Sequence, residues 1–384
     1  MSRVLFLSHT AEPGGAELFL VDVLRGGPEG WRAAFLSDGP AGAMLADAGR
    51  PPIVLPADPA LFAIRRGSGP LPIMRGAAAA IGAAKALATQ ARAHDILCAN
   101  SQKSLFVAAG AAIAARRPLV WILHDLLTDP AFSAINRRAA VAVANRAAAA
   151  VAVNSDATGS AFVAAGGRAE LVHIIPNGFD VANWPRASEA AAKHVRDSLG
   201  LDERPVVGLF GRLTPWKGQH VLIDALTQIP NVQALIVGGA LFGHEDWAQH
   251  LQRHADERGV ADRTHFVGLR DDVPALMAGC DMVVHASTAP EPFGRVVVEA
   301  MLTGRPVIAT RGGAIPSLID HERTGLLVPP ADPVALATAI QRLLDAPAQA
   351  ARMGEAARAS AARFDLTETR QSLVQLFDKV GRKR

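Results

Sequence analysis

Four short segments of this 384-residue chain carry residues whose types and spacing suit the binding of an anion. In Glu291-Pro292-Phe293-Gly294-Arg295-Val296-Val297-Val298-Glu299 two carboxylates bracket a Pro-Phe-Gly turn that leads into a helical pattern. A helix starting near Gly294 would turn its free N–H groups toward a phosphate. Glu299 would then lie about 7 Å further along the axis, roughly the span from a β-phosphate to a ribose. As spacing alone, two glutamates so placed are also common by chance. In Gly211-Arg212-Leu213-Thr214-Pro215-Trp216-Lys217-Gly218, Thr214 suits an N-cap and Pro215 the first helical position. Arg212 then falls just before the helix and Lys217 in its first turn. Cations there oppose the helix dipole, which points to an anionic ligand such as a diphosphate. The segment lacks the GxxxxGK[ST] spacing of a P-loop.

The other two segments are less specific. In Ser8-His9-Thr10-Ala11-Glu12-Pro13-Gly14-Gly15-Ala16-Glu17 the paired glycines Gly14 and Gly15 let backbone approach an anion, though the same pair equally makes an ordinary turn. Trp121-Ile122-Leu123-His124-Asp125 ends an apolar run in His124, either a functional group or a satisfied structural histidine. Gly312-Gly313 is a further backbone-approach site of equally open meaning. No GxGxxG occurs, which disfavours a dinucleotide-dependent hydride-transfer enzyme.

Positioning these segments requires a scaffold, and the apolar runs describe one. Val4–Leu7, Ala33–Leu36, Ile53–Leu55, Ile96–Ala99, Leu119–Leu123, Val151–Val153 and Leu171–Ile175 read as buried strands of the first half. Val206–Phe210, Val232–Val237, His265–Val267, Met282–His285, Val307–Ala309 and Gly325–Val328 repeat the theme in the second. Continuous apolar runs alternating with helical patterns mean parallel sheet covered on both faces, hence an α/β fold. Two sheets fit better than a single one of that size. The boundary falls at Pro176-Asn177-Gly178-Phe179-Asp180, giving domains 1–179 and 180–364. Residues 182–204 read as polar and helical. Leu366, Thr369, Leu373, Leu376, Phe377 and Val380 share one helical face in the final segment, 365–384. In such sheets ligands bind beyond the carboxyl ends of the strands, where all four segments lie.

Composition narrows the class. Half the residues are hydrophobic and a fifth charged, as in a globular protein. Cys98 and Cys280 make neither a disulfide framework nor a zinc site, so a reducing cytoplasm is expected. The N-terminus runs into a strand without the features of a signal peptide. Leu105–Ala115 and Ala139–Val153 are too short or too interrupted to span a membrane. Net charge is only +3, yet Arg116-Arg117, Arg137-Arg138 and Arg382-Lys383-Arg384 are clustered. They suit either a solvated face or an anionic lipid surface, and no aromatic-interleaved basic patch points to nucleic acid.

Together these segments resemble glycosyltransferase family 4, of the GT-B fold, over essentially the whole chain. The match rests on Gly-Gly-Ala-Glu after the first strand, His124-Asp125, Ser155, Pro-Asn-Gly-Phe-Asp at 176–180 and Gly-Arg-Leu-x-x-x-Lys-Gly at 211–218. Glu-Pro-Phe-Gly-x-x-x-x-Glu-Ala-Met at 291–301 and Pro-Val-Ile-Ala-Thr at 306–310 complete it. The resemblance implies two Rossmann-like domains facing across a cleft, with the final helix returning to the first. It implies a retaining hexosyltransferase whose GDP- or UDP-linked donor sugar binds the C-terminal domain, without a metal or other cofactor. A glycan or lipid-linked acceptor would bind mainly the N-terminal domain, in polysaccharide or glycolipid synthesis, with the protein peripheral on the cytoplasmic membrane.

Carried over by position, Arg212 and Lys217 would neutralise the diphosphate, Glu291 would position sugar hydroxyls and Glu299 would bind the ribose. Gly211 and the N–H groups of Phe293 and Gly294 would hold the donor, with Gly14 and Gly15 near the β-phosphate and His124 beside the sugar. Arg295 departs from the aliphatic residue many relatives carry, and would either add a cation near the phosphates or face solvent. A non-catalytic nucleotide-sugar-binding relative, a sugar-phosphate transferase and a GT-B nucleotide-sugar epimerase are the competing readings.

Overall fold

A computed structural model describes residues 1–55, 57–58, 61, 70–128, 133–240 and 244–382. The chain divides into two compact units, residues 1–179 with 365–384 and residues 180–364. In the first, seven parallel strands among the described residues are β1 (Val4–Ser8), β2 (Trp31–Phe35), β3 (Ile53–Val54), β4 (Ile96–Ala99), β5 (Leu119–Leu123), β6 (Ala148–Val153) and β7 (Val172–Ile174). Their order across the sheet is β3-β2-β1-β4-β5-β6-β7. The second unit holds β8 (Val206–Phe210), β9 (Gln233–Val237), β10 (Thr264–Gly268), β11 (Met282–His285), β12 (Val307–Thr310) and β13 (Leu326–Val328), ordered β10-β9-β8-β11-β12-β13. Each strand falls on one of the apolar runs, shifted by up to three residues at some ends, most at the start of β6.

The sequence builds these sheets because their strands are apolar on both sides. In β1, Leu5 and Leu7 face a core with Leu97, Trp121 and Leu105, while Val4 and Phe6 face another with Phe19, Leu20 and Phe377. Alternate side chains of one strand thus serve two cores, and helices must cover both. The order 3-2-1-4 places a reversal between β1 and β4 in the first sheet and between β8 and β11 in the second. Loops diverge at such a reversal and leave a crevice at the strands' carboxyl ends.

The last helix, Leu366–Gly381, packs on the first unit. Leu373, Leu376, Phe377 and Val380 are buried in its core, and Phe377 stands edge-on to both Phe6 and Trp31, at 5.7 and 5.4 Å. Arg370 donates to the Asp22 and Val23 carbonyls near the end of helix Gly15–Arg25. Cations are favoured at that pole. The Pro176–Gly178 turn is the seat of this helix. Thr369 donates to the Pro176 carbonyl at 3.0 Å, and a Cβ on Gly178 would come within 2.6 Å of the Leu366 Cα.

One sequence expectation needs correction. Only Glu189–Leu199 of segment 182–204 is α-helical, capped by Ser188 and ended by Gly200 at φ 65°. Pro185 disfavours helix in the residue before it, so residues 182–187 run as turn and coil. Replacing Phe377 with Ala empties a site bounded by two aromatic rings. It should cost about 3–5 kcal/mol of stability, read as a lower unfolding midpoint with altered Trp31 fluorescence.

Candidate active site

In the second unit the sequence brings three segments to the reversal between β8 and β11. The loop after β8 carries Arg212 and Lys217, that after β11 carries Glu291, and that after β12 carries Gly312 and Gly313. Lys217 Nζ lies 2.5 Å from Glu291 Oε1, with the side chains 20% and 13% exposed. The same oxygen accepts from Ser287 Oγ at 2.7 Å and lies 3.3 Å from His285 Nε2. Burial alone would raise the Glu291 carboxyl pKa, but the Lys217 ammonium and the His285 contact outweigh it and hold the group well below the usual carboxylate range. Glu291 is therefore a carboxylate with one oxygen fully engaged by the protein. His285 and Ser287, buried at the end of β11, are site residues that the sequence reading did not select. The only sequence signal for them is their place directly ahead of Glu291, at a strand's carboxyl end.

Three close backbone approaches hold these loops. A Cβ on Gly218 would stand 1.9 Å from the Ala286 carbonyl oxygen, and one on Gly313 would stand 2.0 Å from the Glu291 carbonyl oxygen. On Gly238 a Cβ would meet the Gly211 carbonyl oxygen at 1.9 Å. The Thr288 N–H donates to the Trp216 carbonyl and the Ala314 N–H to that of Glu291. The Gly312-Gly313 pair thus has a definite task at its second member, Gly313. It lets β12's loop lie against the backbone of the site carboxylate.

Lys217 sits differently from the sequence expectation. Pro215–Lys217 is a single 3₁₀ turn, and the α-helix begins only at Gln219, after Gly218 at φ 74°. Thr214 stands at the N-cap position without a side-chain cap bond. The left-handed Gly218 breaks the helix because the chain must pass the Ala286 carbonyl. That break is what turns Lys217 toward Glu291. Arg212 is half-buried, and its carbonyl accepts from the buried Gln219 amide at 2.9 Å.

Helix Arg295–Thr303 starts where the sequence places it, with Gly294 as N-cap at φ 97° and no side chain capping its N–H groups. Phe293 is buried and packs edge-on against Phe364 at 5.6 Å, anchoring the turn. Arg295 does not face solvent. Its side chain is only 14% exposed and pairs with Glu299 one turn on, at 3.5 Å. Arg295 is thus the ion-pair partner of the carboxylate that the resemblance links to a ribose.

The first unit has its own polar cluster at the reversal between β1 and β4. His124 follows β5, with Nε2 3.0 Å from Asn100 Oδ1 and its ring edge-on to Phe19 at 5.1 Å. Asn100 Nδ2 donates to the Ala16 carbonyl, which fixes the amide orientation and assigns the His124 proton to Nε2. Gly14 is the N-cap of helix Gly15–Arg25. Behind it the buried Glu17 accepts from Ser8 Oγ at 2.8 Å, and a Cβ on Gly14 would lie 2.9 Å from its other oxygen. Burial raises the Glu17 carboxyl pKa. His9 contacts Ser101 Oγ at 3.0 Å and is pushed down to about 4, by burial first and then by Lys103, so it is neutral at pH 7. Asn100 and Ser101 escape sequence reasoning because only the strand order shows that β4's end adjoins β1's.

Residues 13–183 match the model of Glycosyltransferase Family 4, and residues 192–360 that of Glycosyl transferases group 1. Anabaena HepE, solved in complex with UDP and glucose, is 40% identical with a TM-score of 0.90, over 98% of this chain and 100% of that one. The chain belongs to glycosyltransferase family 4. Its two parallel α/β units are those of the GT-B fold of that family. A second HepE structure, with UDP-glucose, is 39% identical with a TM-score of 0.89 over 99% of this chain and 100% of that one. The D-inositol 3-phosphate glycosyltransferase of Corynebacterium urealyticum is 32% identical over 215 residues, 54% of this chain and 50% of its own. The GDP-mannose-dependent alpha-(1-6)-phosphatidylinositol monomannoside mannosyltransferase of Mycolicibacterium smegmatis is 35% identical over 213 residues, 52% and 54% of the two chains. The chain thus spans about half the length of these last two relatives.

The geometry of the Lys217–Glu291 pair sets a thermodynamic test. Lys217→Met leaves a charge buried without its counter-ion, whereas Lys217→Met/Glu291→Gln removes both. The double variant should be the more stable by about 2 kcal/mol in chemical denaturation, because breaking one side of a buried pair costs more than replacing it. Acid dependence follows from the sign of the shift. Glu291's folded pKa lies below its unfolded value, so the pair's contribution is complete above about pH 4.3 and is lost as pH falls through the lower folded value. The stability difference between wild type and Glu291→Gln should therefore stay constant from about pH 8 to about pH 5 and shrink only in stronger acid.

Proposed function

We propose that this protein transfers a hexose, with retention of anomeric configuration, from a UDP-sugar to a hydroxyl of a glycan or lipid-linked acceptor. UDP-glucose is the first candidate donor. The observation that carries this reading is the buried Glu291 carboxylate, with one oxygen fixed by Lys217, Ser287 and His285. The HepE complexes support UDP and glucose, since that likeness covers the whole chain. The GDP-mannose-dependent relative matches only about half of it.

Arg212 and Lys217 neutralise the donor diphosphate. An ammonium has three donors, so Lys217 can hold Glu291 and still meet a phosphate oxygen. As the C1–O bond to the β-phosphate breaks, the leaving UDP gains charge that these cations stabilise more than in the ground state. The acceptor oxygen forms its bond to C1 on the same face, and its proton passes to the departing phosphate. Glu291 is unsuited to act as base or nucleophile, because its negative charge is already neutralised. It orients sugar hydroxyls instead. Glu299, tempered by Arg295, takes the ribose, and the turn at Phe293-Gly294 and Gly211 contact the donor. Gly14, Gly15 and His124 contribute from the first unit.

Because two cations supply the neutralising charge, we propose that donor binding needs no divalent cation. The two buried, unpaired cysteines, Cys98 and Cys280, support a cytoplasmic setting in the assembly of cell-surface polysaccharide or glycolipid. UDP at 100 times its dissociation constant should add about 2.7 kcal/mol of stability. Thermal unfolding should then show a shift with UDP and UDP-glucose that EDTA leaves unchanged, and a smaller one with GDP. Equal failure of UDP, GDP and ADP would replace this reading with a non-catalytic one, and an inverted anomer by NMR would refute retention.

A further inference from the structure

Among the described residues no helix is long and apolar enough to cross a membrane, and Lys383 and Arg384 of the last basic cluster lie outside them. The surface feature that stands out lies instead beside the ion pair of the second unit. Trp216, one of five tryptophans, leaves 38% of its surface exposed on the turn that carries Lys217. By contrast Trp31 and Trp121 are buried, and Trp184 and Trp247 half-buried. An indole left in water forgoes more burial than any other side chain, unless a ligand covers it.

The backbone holds this side chain in a fixed place. The Trp216 carbonyl accepts from the Thr288 N–H at 2.8 Å, and the Lys217 N–H closes the turn onto the Thr214 carbonyl at 3.1 Å. Next along the chain, Lys217 is bound to Glu291 and Gly218 is pressed against the Ala286 carbonyl. His244, after β9, stands edge-on to the indole, with ring centroids 5.3 Å apart and planes at 80°. The two rings make a corner rather than a stack. His244 is half-buried, and its ring nitrogens make no hydrogen bond among the described residues. Such a corner offers one flat apolar wall and one polar edge, which together orient a ring that carries both C–H and O–H groups.

The proposed reaction brings two kinds of ring to the second unit, uracil and sugars, and the sheet separates them. The chain moves outward from β8 to β10, then in the opposite direction from β11 to β13. Right-handed crossovers put the two sets of connecting helices on opposite faces. Helices Gln219–Leu226 and Glu245–Glu257, which follow Trp216 and His244, cover one face. Their Val221, Leu222, Leu251 and Ala255 share a core with Val207, Leu209 and Ile236. Val297, Val298 and Met301 of helix Arg295–Thr303 are buried outside that core. A nucleotide whose ribose reaches Glu299 therefore runs down the far face, away from Trp216. The strand order β9-β8-β11 also sets Lys217 between His244 and Glu291, so a donor hexose at Glu291 lies on the other side of Lys217 from the corner. Given the UDP-sugar reaction proposed above, on which this subsite rests, we propose that Trp216 and His244 bind a pyranose ring of the acceptor. Its C–H face lies on the indole and a hydroxyl meets the His244 imidazole. Hydrogens on oxygen-bearing carbons are electron-poor and suit the negative face of an indole. The acceptor recognised in this way is a glycan, not a bare lipid hydroxyl.

Full-length protein, with and without UDP, is titrated with the methyl α- and β-glycosides of glucose, galactose and mannose. Indole N–H resonances are followed by nitrogen-15 NMR, that of Trp216 being assigned by its absence from Trp216→Phe. At least one glycoside should shift this resonance saturably and leave those of Trp31 and Trp121 in place. In saturation-transfer NMR, Trp216→Ala should weaken that glycoside about tenfold and His244→Ala about fivefold, while Trp216→Phe keeps most of the affinity. Circular dichroism and the UDP-induced thermal shift, unchanged in all three variants, separate loss of the subsite from loss of fold or donor site. Three results would overturn the proposal. No glycoside moves the Trp216 resonance, or Trp216→Ala binds glycosides as tightly as wild type, or Trp216→Ala weakens UDP instead, which would put the uracil on the indole. A wild type indifferent to UDP would count against the donor reading, and is told apart from all three.

Discussion

One oxygen atom, Glu291 Oε1, ties the second unit's loops together. Lys217 reaches it from the loop after β8, and Ser287 and His285 from the end of β11. The loop after β12 clamps the backbone of the same residue through the Ala314 N–H. A buried carboxylate is expensive unless its charge is matched and its lone pairs are filled. The loops must therefore come close enough to fill them. Gly218 and Gly313 are required where they stand because any side chain would collide with backbone oxygen at about 2 Å. The glycines and the ion pair are two parts of one constraint.

The first unit uses the same topology to a different electrostatic end. Its reversal point gathers two hydrogen-bonded pairs, His124 with Asn100 and His9 with Ser101, and burial keeps His9 neutral. Glu17, the carboxylate buried there, has a raised pKa and faces the turn at Gly14 rather than a cation. One unit thus centres on a buried ion pair, the other on hydrogen-bonded polar side chains with a neutral histidine, His9.

Much of this architecture is legible in the amino-acid sequence. Buried parallel strands must be apolar on both faces, so each apolar run marks a strand, and the helix after Gly294 follows from its turn. Arg212 and Lys217 stand out as cations that oppose a helix dipole, whereas Glu291 and Glu299 stand out only through the family resemblance. What stays hidden depends on adjacency across the sheet. Asn100 and Ser101 follow β4, and nothing local to that segment says that β4 lies against β1. His285 and Ser287 gain meaning only once their side chains are seen to converge on Glu291. Arg295 cannot be placed from sequence because an i,i+4 partner competes with both solvent and ligand. Thr214-Pro215 looks like a helix start, and local propensity loses to the tertiary demand that Gly218 turn left-handed beneath Ala286.

The ion pair also explains how a cationic site can wait for an anion without instability. Two cations at the end of a strand, ahead of a helix, repel each other and the helix pole. Glu291 relieves that repulsion by serving Lys217 as a resident counter-ion. In the proposed reaction a diphosphate arriving beside Lys217 meets an ammonium already aligned, and need not order a flexible side chain. Because Ser287 and His285 also hold Glu291, the carboxylate keeps its position when Lys217 divides its donors between the two anions. Its second oxygen then remains available to a sugar hydroxyl throughout. On the proposed function, one buried side chain thereby couples the orientation of donor phosphate and donor sugar.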